Sequence, residues 1–430
     1  MSTYPRTYYS ATLGDAPLRD PVRGRHQADV AVVGAGLAGL TAALELARAG
    51  QSVIVVEAER VGWGASGRNG GFVGPGYATG HDQIARMAGE ENAKTLHRLS
   101  IEGVRIVEEN LREIPIPEAS PVSGRLKVLR HPGASDLARS RDRLARDFDY
   151  PVEVVPTERV REMLRSTKYF EALYDPGAFH FHPLHYAHGL ARGVEAAGGR
   201  IFESSRVVEA SLNGPEKRLR TRDGEIRARD VVLAAGGYAD RLVPRLRRSF
   251  LPIATYVLLT EPARERIAEA VRTPFAISDE RRAGDYYRLV DGGERLLWGG
   301  RITTRTSEPR RLAEMLRRTM VSTYPQIEGL RVEIAWSGLM AYARHLMPLV
   351  GRLQPGVWHA LGFGGHGLNT TAIAGRVVAE AIMGRSDRIR LYEPFGLAWN
   401  GGPFGVAAAQ LTYWSYQAAD LWRERRAATR

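Results

Sequence analysis

The sequence predicts an α/β protein, α+β overall, in which a parallel-sheet domain is interleaved with a second domain built on a mostly antiparallel sheet. Three observations predict it. Residues 28–60, ADVAVVGAGLAGLTAALELARAGQSVIVVEAER, read as strand, glycine turn, helix and strand, one βαβ unit. Short apolar strands running into glycine recur at Val231–Ala235 and Val357–Leu361. Between those two, residues 250–340 carry period-two alternation instead. The pieces of the first kind therefore sit at both ends and in the middle of the chain. The division predicted is 1–80, 175–245 and 341–400 for the first domain, 81–174 and 246–340 for the second, and 401–430 for a helical tail.

The elements follow in order. Residues 1–28 are polar and irregular. Val30–Val33 is a buried-type apolar strand, and Leu40, Ala43, Leu44 and Ala47 recur at helical spacing until Gly50 ends the helix. Ser52–Glu57 is the next strand, and a glycine-rich stretch runs from Gly62 to Gly80. Residues 82–112 read as an amphipathic helix, Arg125–Arg130 as a strand and Asp136–Phe148 as a helix. His182–Ala197 reads as a helix with Pro183 near its start and Gly198-Gly199 past its end. Ile201–Leu212 and Arg218–Arg222 read as strands around the turn Asn213-Gly214. Ile253–Thr260, Tyr286–Val290, Arg295–Gly300 and Arg331–Trp336 alternate and read as a second sheet. Thr370–Met383 is the helix after the last apolar strand.

Composition narrows the function. A chain of 430 residues with 44% hydrophobic content can bury two or three domain cores, and 25% charge excludes global disorder. The absence of cysteine removes disulfides, thiolate metal sites, iron–sulfur clusters and cysteine nucleophiles. Net charge is +12, carried by 56 arginines and only four lysines. The arginines are scattered, with small clusters at Arg245–Arg248 and Arg423–Arg426, so they read as solvated basic faces and no nucleic-acid partner is expected. The start MSTYPRTYYS has no apolar core. Val30–Leu40, the most apolar stretch, falls short of the roughly 20 apolar residues of a membrane span. A cytoplasmic protein with no membrane span is expected. In the tail, Leu411, Trp414, Ala418 and Leu421-Trp422 recur at helical spacing before arginines. That stripe reads as packing on its own protein or on a partner subunit, which leaves a homo-oligomer open, with a membrane surface as the alternative.

Gly34-Ala35-Gly36-Leu37-Ala38-Gly39 is GxGxxG, set after a strand and opening a helix, and Glu57 ends the next strand. This is the Rossmann-type dinucleotide fingerprint. Gly34 permits the tight turn, Gly36 lets a pyrophosphate approach the backbone, and Gly39 lets helix and strand pack closely. The helix N-terminus faces the phosphates, and Glu57 accepts from the ribose hydroxyls. A second GxGxxG, Gly362–Gly367, also lies between strand and helix, but no strand with an acidic end follows. It reads as a helix N-terminus aimed at an electron-rich ring, such as a flavin. An enzyme using both FAD and NAD(P)H is therefore not expected, and a plain NAD dehydrogenase would not need the glycine-rich stretch Gly62–Gly76.

Gly34–Gly39 with Glu57, GWGASGRNGGF at Gly62–Phe72, VVLAAGG at Val231–Gly237 and GFGGHGLN at Gly362–Asn369 resemble the D-amino-acid oxidase superfamily of flavoproteins. Within it, TYYSATL at Thr7–Leu13, GASGRNGG at Gly64–Gly71 and FGLAWNGGPFG at Phe395–Gly405 are most similar to the gamma-glutamylputrescine oxidase-like group. The resemblance implies bound FAD, a substrate domain whose sheet roofs the flavin, and oxidation of a primary or secondary amine, with oxygen or another electron acceptor as oxidant. It implies that Gly34, Ala35, Gly36, Leu37, Ala38, Gly39, Glu57 and Ala58 hold the ADP part. Ser66, Arg68, Asn69, Gly70 and Gly71 would lie along pyrophosphate and flavin. Val207 would meet adenine, flanked by Ala235 and Gly236. Gly364, Gly365, His366, Gly367 and Leu368 would face the flavin ring.

Three departures from relatives matter. A histidine that carries covalent flavin in some of them falls on Arg68, so the FAD is expected to be non-covalent. A carboxylate-binding Lys of sarcosine oxidases falls on Asn369. The Arg of the WAGLRP phrase of glycine oxidases is missing from Trp336-Ser337-Gly338-Leu339-Met340. Two carboxylate anchors are absent, which favours a gamma-glutamylputrescine- or polyamine-like amine. A glycine- or sarcosine-like amino acid is the alternative, with Arg288 or Arg344 as its anchor. An FAD protein with a binding role alone is the third reading. Tyr286, Tyr287, Trp336 and Tyr342 are the expected aromatic walls, Tyr287 beside the reacting atoms, and His366 or His345 would accept the amine proton. His180, His182 and His185 cluster without a carboxylate at helical spacing, so no metal is expected. Gly64–Gly67 is not GxSxG, so a hydrolase elbow is not supported.

Overall fold

The computed structural model describes residues 3–239, 242–281, 284–304, 308 and 311–428. It has two sheets. In the first, Gly24–Val33 lies at the centre, parallel to Val53–Val56 on one side and to Gly224–Leu233 on the other. Arg200–Phe202 and Val357–Leu361 extend it in parallel at either flank, and Leu349–Gln354 closes one edge antiparallel. All four residues of Val53–Val56 are buried because both faces of the sheet are covered. Val53 and Val55 join the core under the helices, and Ile54 and Val56 join the core on the opposite face. A continuous apolar run is what burial on both faces requires.

Helix Leu37–Arg48 packs against this sheet and against helix Gly367–Ile382. The two helices meet at Gly375, where a Cβ would come within 2.7 Å of Thr41 Cβ and 2.9 Å of Ala38 O. Gly375→Ala should therefore destabilise the fold by about 1–3 kcal/mol, although alanine is the better helix former. A denaturant titration of the variant checks it, and unchanged stability would mean the helices can separate at no cost.

The segment 82–112 is two helices, His81–Ala88 and Glu90–Glu113, broken at Gly89 (φ 86°). Grouped with the second domain in the sequence reading, they pack instead in the first core, which Leu96, Leu99, Val104 and Val107 join, and Glu90–Glu113 lies against the helix Gly367–Ile382. Ile201–Leu212 is likewise two strands, Arg200–Phe202 and Glu209–Ser211, with Glu203 and Ser205 buried between them.

The second sheet is mixed rather than mostly antiparallel. Val332–Ala343, Phe250–Thr260, Arg295–Thr303, Tyr286–Val290 and Ala276–Asp279 follow one another antiparallel. Ala276–Asp279 then runs parallel to Val122–Val128, which pairs antiparallel with Ala172–His180. Phe72–Val73, from the glycine-rich stretch, ends the sheet. The chain thus crosses between sheets through its glycines. One face of this sheet packs on helix Leu312–Thr323 around Tyr169, Tyr287, Trp298 and Tyr324.

The N-terminal segment is less irregular than its composition suggests. Thr7 and Ser10 form a capping box for the short helix Tyr8–Ala11. Tyr9 is fully buried, and its hydroxyl donates to Asn69 O at 2.6 Å. The tail is one helix, Gly402–Ala428. Ile302 N donates to Tyr413 Oη, and Glu424 pairs with Arg130 at 2.7 Å. Leu411, Trp414, Leu421 and Trp422 remain more than half exposed. Among the described residues, no helix is long and apolar enough to cross a membrane.

Candidate active site

A cavity of about 910 Å³ runs between the two sheets. One end is the GxGxxG turn. Gly34 adopts φ 108°, and a Cβ there would lie 2.8 Å from Ala234 O. At Gly39 a Cβ would lie 2.1 Å from Gly34 O, so the turn closes only with glycine. Gly36 caps the helix Leu37–Arg48 with no side chain, which leaves the helix N-terminus open to the cavity. Leu37 N donates to Ser66 Oγ at 3.1 Å. Glu57 accepts from Ala35 N at 2.7 Å and Glu59 N at 2.9 Å. Burial pushes its carboxyl up, and those two amides oppose the shift.

The glycine-rich stretch forms the next wall. Asn69 Nδ2 donates to Ala65 O and Ser66 O, and Gly71 N donates to Asn69 Oδ1. The Arg68 guanidinium sits 4.2 Å over the Trp63 ring, and its Nε donates to Trp63 O. Its Nη2 is buried with no hydrogen-bond partner among the described residues, at a position that lines the cavity. An open helix N-terminus, a cradle at Gly36 that a Cβ would fill, and an unpartnered buried guanidinium nitrogen are the donor set an anionic dinucleotide takes. The residues present fit FAD.

The far end is the second glycine turn. His366 caps the helix Gly367–Ile382 without a side-chain hydrogen bond, and nothing lies within 4 Å of a Cβ built at Gly367. Burial, with Arg125 and Lys127 nearby, pushes the His366 imidazole down to about 3, so it is neutral at physiological pH. Tyr286 and Tyr342 stand on the facing strands, and burial pushes the Tyr342 phenol up to about 12.

The cavity brings together most of the residues singled out from sequence. Gly34, Gly36, Leu37, Ala38, Glu57 and Ala58 line it, as do Ser66, Arg68, Asn69 and Gly70. Val207, Ala235, Gly236, Gly364, Gly365, His366, Gly367, Leu368, Tyr286 and Tyr342 line it too. Ala35, Gly39 and Gly71 lie behind this wall and shape it.

Five expected substrate-side residues are elsewhere. Tyr287 faces the opposite side of its strand from Tyr286, stacked on Trp298 at 4.2 Å and hydrogen-bonded to Tyr324. Trp336 is buried, its Nε1 donating to Arg68 O. Arg288 is buried and committed to Gly70 O and Phe181 O. Arg344 is exposed, and His345 bonds Gly396 O, both outside the cavity. Asn369 holds Gly76 O and Ser100 O, a structural tie in place of a carboxylate anchor. His180 and His182 are buried with their own hydrogen-bond partners, and no metal-holding cluster occurs among the described residues.

Sequence reasoning missed Arg125 and Lys127, which line the cavity. The signal was present. RLKVLR alternates, so Arg125 and Lys127 share one face, and Leu126 and Val128 share the other, which is in the second core.

The comparisons with known proteins agree with this geometry. A family model described as FAD dependent oxidoreductase, DAO, matches residues 29–381. A probable oxidoreductase, OrdL, of Haemophilus influenzae is 32% identical over 395 residues, 90% of either chain. The gamma-glutamylputrescine oxidoreductase of Escherichia coli is 31% identical over 90% of this chain and 91% of its own. Among solved structures, glycine oxidase from Geobacillus kaustophilus superposes with a TM-score of 0.71 at 22% identity, covering 89% of this chain and 98% of that one.

Proposed function

The chain belongs to the DAO family of FAD-dependent oxidoreductases, and we propose that within it the protein oxidises the terminal amine of a gamma-glutamylputrescine-like substrate. One observation carries the reading. The dinucleotide cradle and the glycine turn Gly362–Gly367 open onto a single cavity beneath the second sheet, which has room for a cofactor and a substrate side by side. FAD, when bound, supplies the two-electron acceptor; the chain supplies binding, orientation and a dry site. The substrate carbon gives up a hydride equivalent and its nitrogen a proton. Water then hydrolyses the imine to a carbonyl compound and releases ammonia.

The residues at the far end suit that work. Tyr286 and Tyr342 provide apolar walls for an aliphatic chain and exclude water. His366 is unprotonated at neutral pH and offers an acceptor, not a charge, to an N–H of the neutral amine. The absence of a cation at Asn369 and Met340 counts against an α-amino acid, whose carboxylate would sit one bond from the reacting carbon.

The test is anaerobic mixing of the purified holoenzyme with gamma-glutamylputrescine, putrescine, spermidine, sarcosine, glycine and proline. Bleaching of the flavin absorption is followed, and air is then admitted to measure peroxide. The expected result is fastest bleaching by gamma-glutamylputrescine. Bleaching by glycine, sarcosine or proline alone would replace the proposal with the amino-acid alternative, and no bleaching by any of the six would overturn both. Peroxide on admitting air would identify oxygen as the acceptor.

A further inference from the structure

Strand Val122–Val128 places two cations on the cavity face, two residues or about 7 Å apart along the strand. Arg125 donates through Nε and Nη2 to Ser278 Oγ, at 3.3 and 3.0 Å. Its Nη1 lies at Gly74, where a Cβ would approach it to 3.2 Å. Lys127 makes no hydrogen bond or ion pair among the described residues; it lines the cavity and keeps an exposed surface there. Burial pushes both cations below their usual ranges.

The acids nearby are committed to other partners. Asp279 and Asp285 pair with Arg281, Glu280 accepts from Arg130 N and faces His131, and Asp175 accepts from Tyr150 Oη. Neither Arg125 nor Lys127 has a carboxylate within 4.0 Å among the described residues, and both line the cavity, Arg125 half-buried and Lys127 exposed to it. Two neighbouring cations on one wall with no paired carboxylate repel each other and attract an anion between them. The dinucleotide phosphates have their own donors at the other end, on the helix N-terminus at Gly36 and at Arg68. The pair stands instead toward the glycine turn: Arg125 and Lys127 both act on His366, whose ring is 3.8 Å from a Cβ built at Gly76.

We infer that Arg125 and Lys127 form an anion subsite for a substrate carboxylate held several bonds from the amine that is oxidised. The substrates are then amines with a remote carboxylate, of the gamma-glutamyl or ω-amino-acid kind, and plain diamines and polyamines are disfavoured. A second ammonium would meet two cations on this wall; a carboxylate would satisfy both. The inference rests on the amine-oxidising reading for its substrate, but the subsite itself does not.

Two measurements on the holoenzyme separate them. The first titrates glutarate and its neutral isostere glutaramide, reading the flavin absorption and tryptophan fluorescence. Glutarate should bind saturably and glutaramide at least about tenfold more weakly. Lys127→Met and Arg125→Met should each weaken glutarate about 10- to 100-fold, and Lys127→Arg should retain it. Lys127→Met removes no hydrogen bond seen in the fold, so its flavin content should match the parent and certify folding. The second compares gamma-glutamylputrescine with its α-carboxamide. The kcat/KM of the acid should fall in the two variants by at least about tenfold more than that of the amide.

Equal losses for acid and amide, or glutarate binding untouched by the variants, would overturn the subsite while leaving amine oxidation standing. Glutarate binding that depends on Arg125 and Lys127, in an enzyme that no amine reduces, would sustain the subsite and remove the proposed function.

Discussion

Gly36→Val should give a folded protein that purifies without its yellow colour. The Gly36 backbone is extended (φ −80°, ψ 175°), a conformation open to valine, and the nearest atom to a Cβ there is the Ser66 hydroxyl at 3.1 Å, which can rotate away. Loss of glycine at the helix cap costs at most about 1 kcal/mol, so the apoprotein survives. What the side chain fills is the space in front of the open helix N-terminus. A pyrophosphate forced out of it loses several charge-assisted hydrogen bonds of about 1.5–3 kcal/mol each, and FAD affinity should fall at least 100-fold, by about 2.7 kcal/mol or more. The ratio of flavin to protein absorbance and an FAD titration of the apoprotein measure this. Gly39→Val, three residues on in the same motif, should fail for a different reason. Its Cβ would stand 2.1 Å from Gly34 O, with Val32 and Ala234 closing the other sides, so the strand–helix contact itself breaks. That variant should lose more than about 3 kcal/mol and not fold cleanly. A fully yellow Gly36→Val protein would show that the cofactor phosphates lie elsewhere.

The contrast between these two glycines shows why this end of the site was legible. Position within GxGxxG fixes which glycine meets backbone and which meets ligand, because strand, turn and helix follow one another with no insertion. The second glycine turn was legible for the same reason, and Val357–Leu361 forms the strand predicted over those residues. The substrate wall was not. Tyr286 and Tyr287 are adjacent and equally aromatic, and a strand must send them to opposite faces. Sequence shows that they part but not which one meets the cavity. That choice is made by tertiary pairing, where Tyr287 falls opposite Trp298 and stacks on it. Arg288 looked like a substrate anchor because it is a cation beside those tyrosines. It is instead a tie across the domains, gripping Gly70 O, Phe181 O and the hydroxyl of Tyr9. Arg125 and Lys127 were passed over for the converse reason: a charged strand face is ordinarily a solvated one, and only the second layer of the fold converts it into a cavity wall. Tyr9 likewise sits in a polar stretch whose partner, Asn69 O, is 60 residues away.

The buried histidines set the behaviour in acid. His180, His182, His188 and His359 are all nearly inaccessible. Burial, reinforced by neighbouring arginines or histidines, pushes them down to about 3, 2, 3 and 4 respectively. The hydrogen bonds of His180 and His182 require the neutral ring. His180 shares Nε2 with Pro274 O at 2.9 Å, and its Nδ1 faces the Arg288 guanidinium at 3.2 Å. His182 Nδ1 accepts from His185 N, and a proton there would turn an acceptor into a donor facing a donor. In the unfolded chain each imidazole regains a value near 6.5. The unfolded state therefore binds more protons than the folded one at every pH between those values. Stability is complete above about pH 6.5 and drains as pH falls, by about 1.4 kcal/mol per pH unit for each group, until the folded-state value is reached. Four such groups acting together would exhaust a total of about 5–15 kcal/mol within two to three pH units. Urea midpoints should thus begin to fall near pH 6, well above the carboxylate range, and unfolding at pH 5.5 should take up more than two protons. His359 is the cleanest single test, since its Nδ1 has no partner and its neutral ring is held by packing alone. His359→Gln should flatten the pH slope by about one proton while leaving the flavin in place. Urea midpoints constant from pH 7 to pH 5 would mean that these rings are hydrated in the native protein, and that the interior around Arg288 is wetter than the packing of Tyr9, His180 and Phe181 allows.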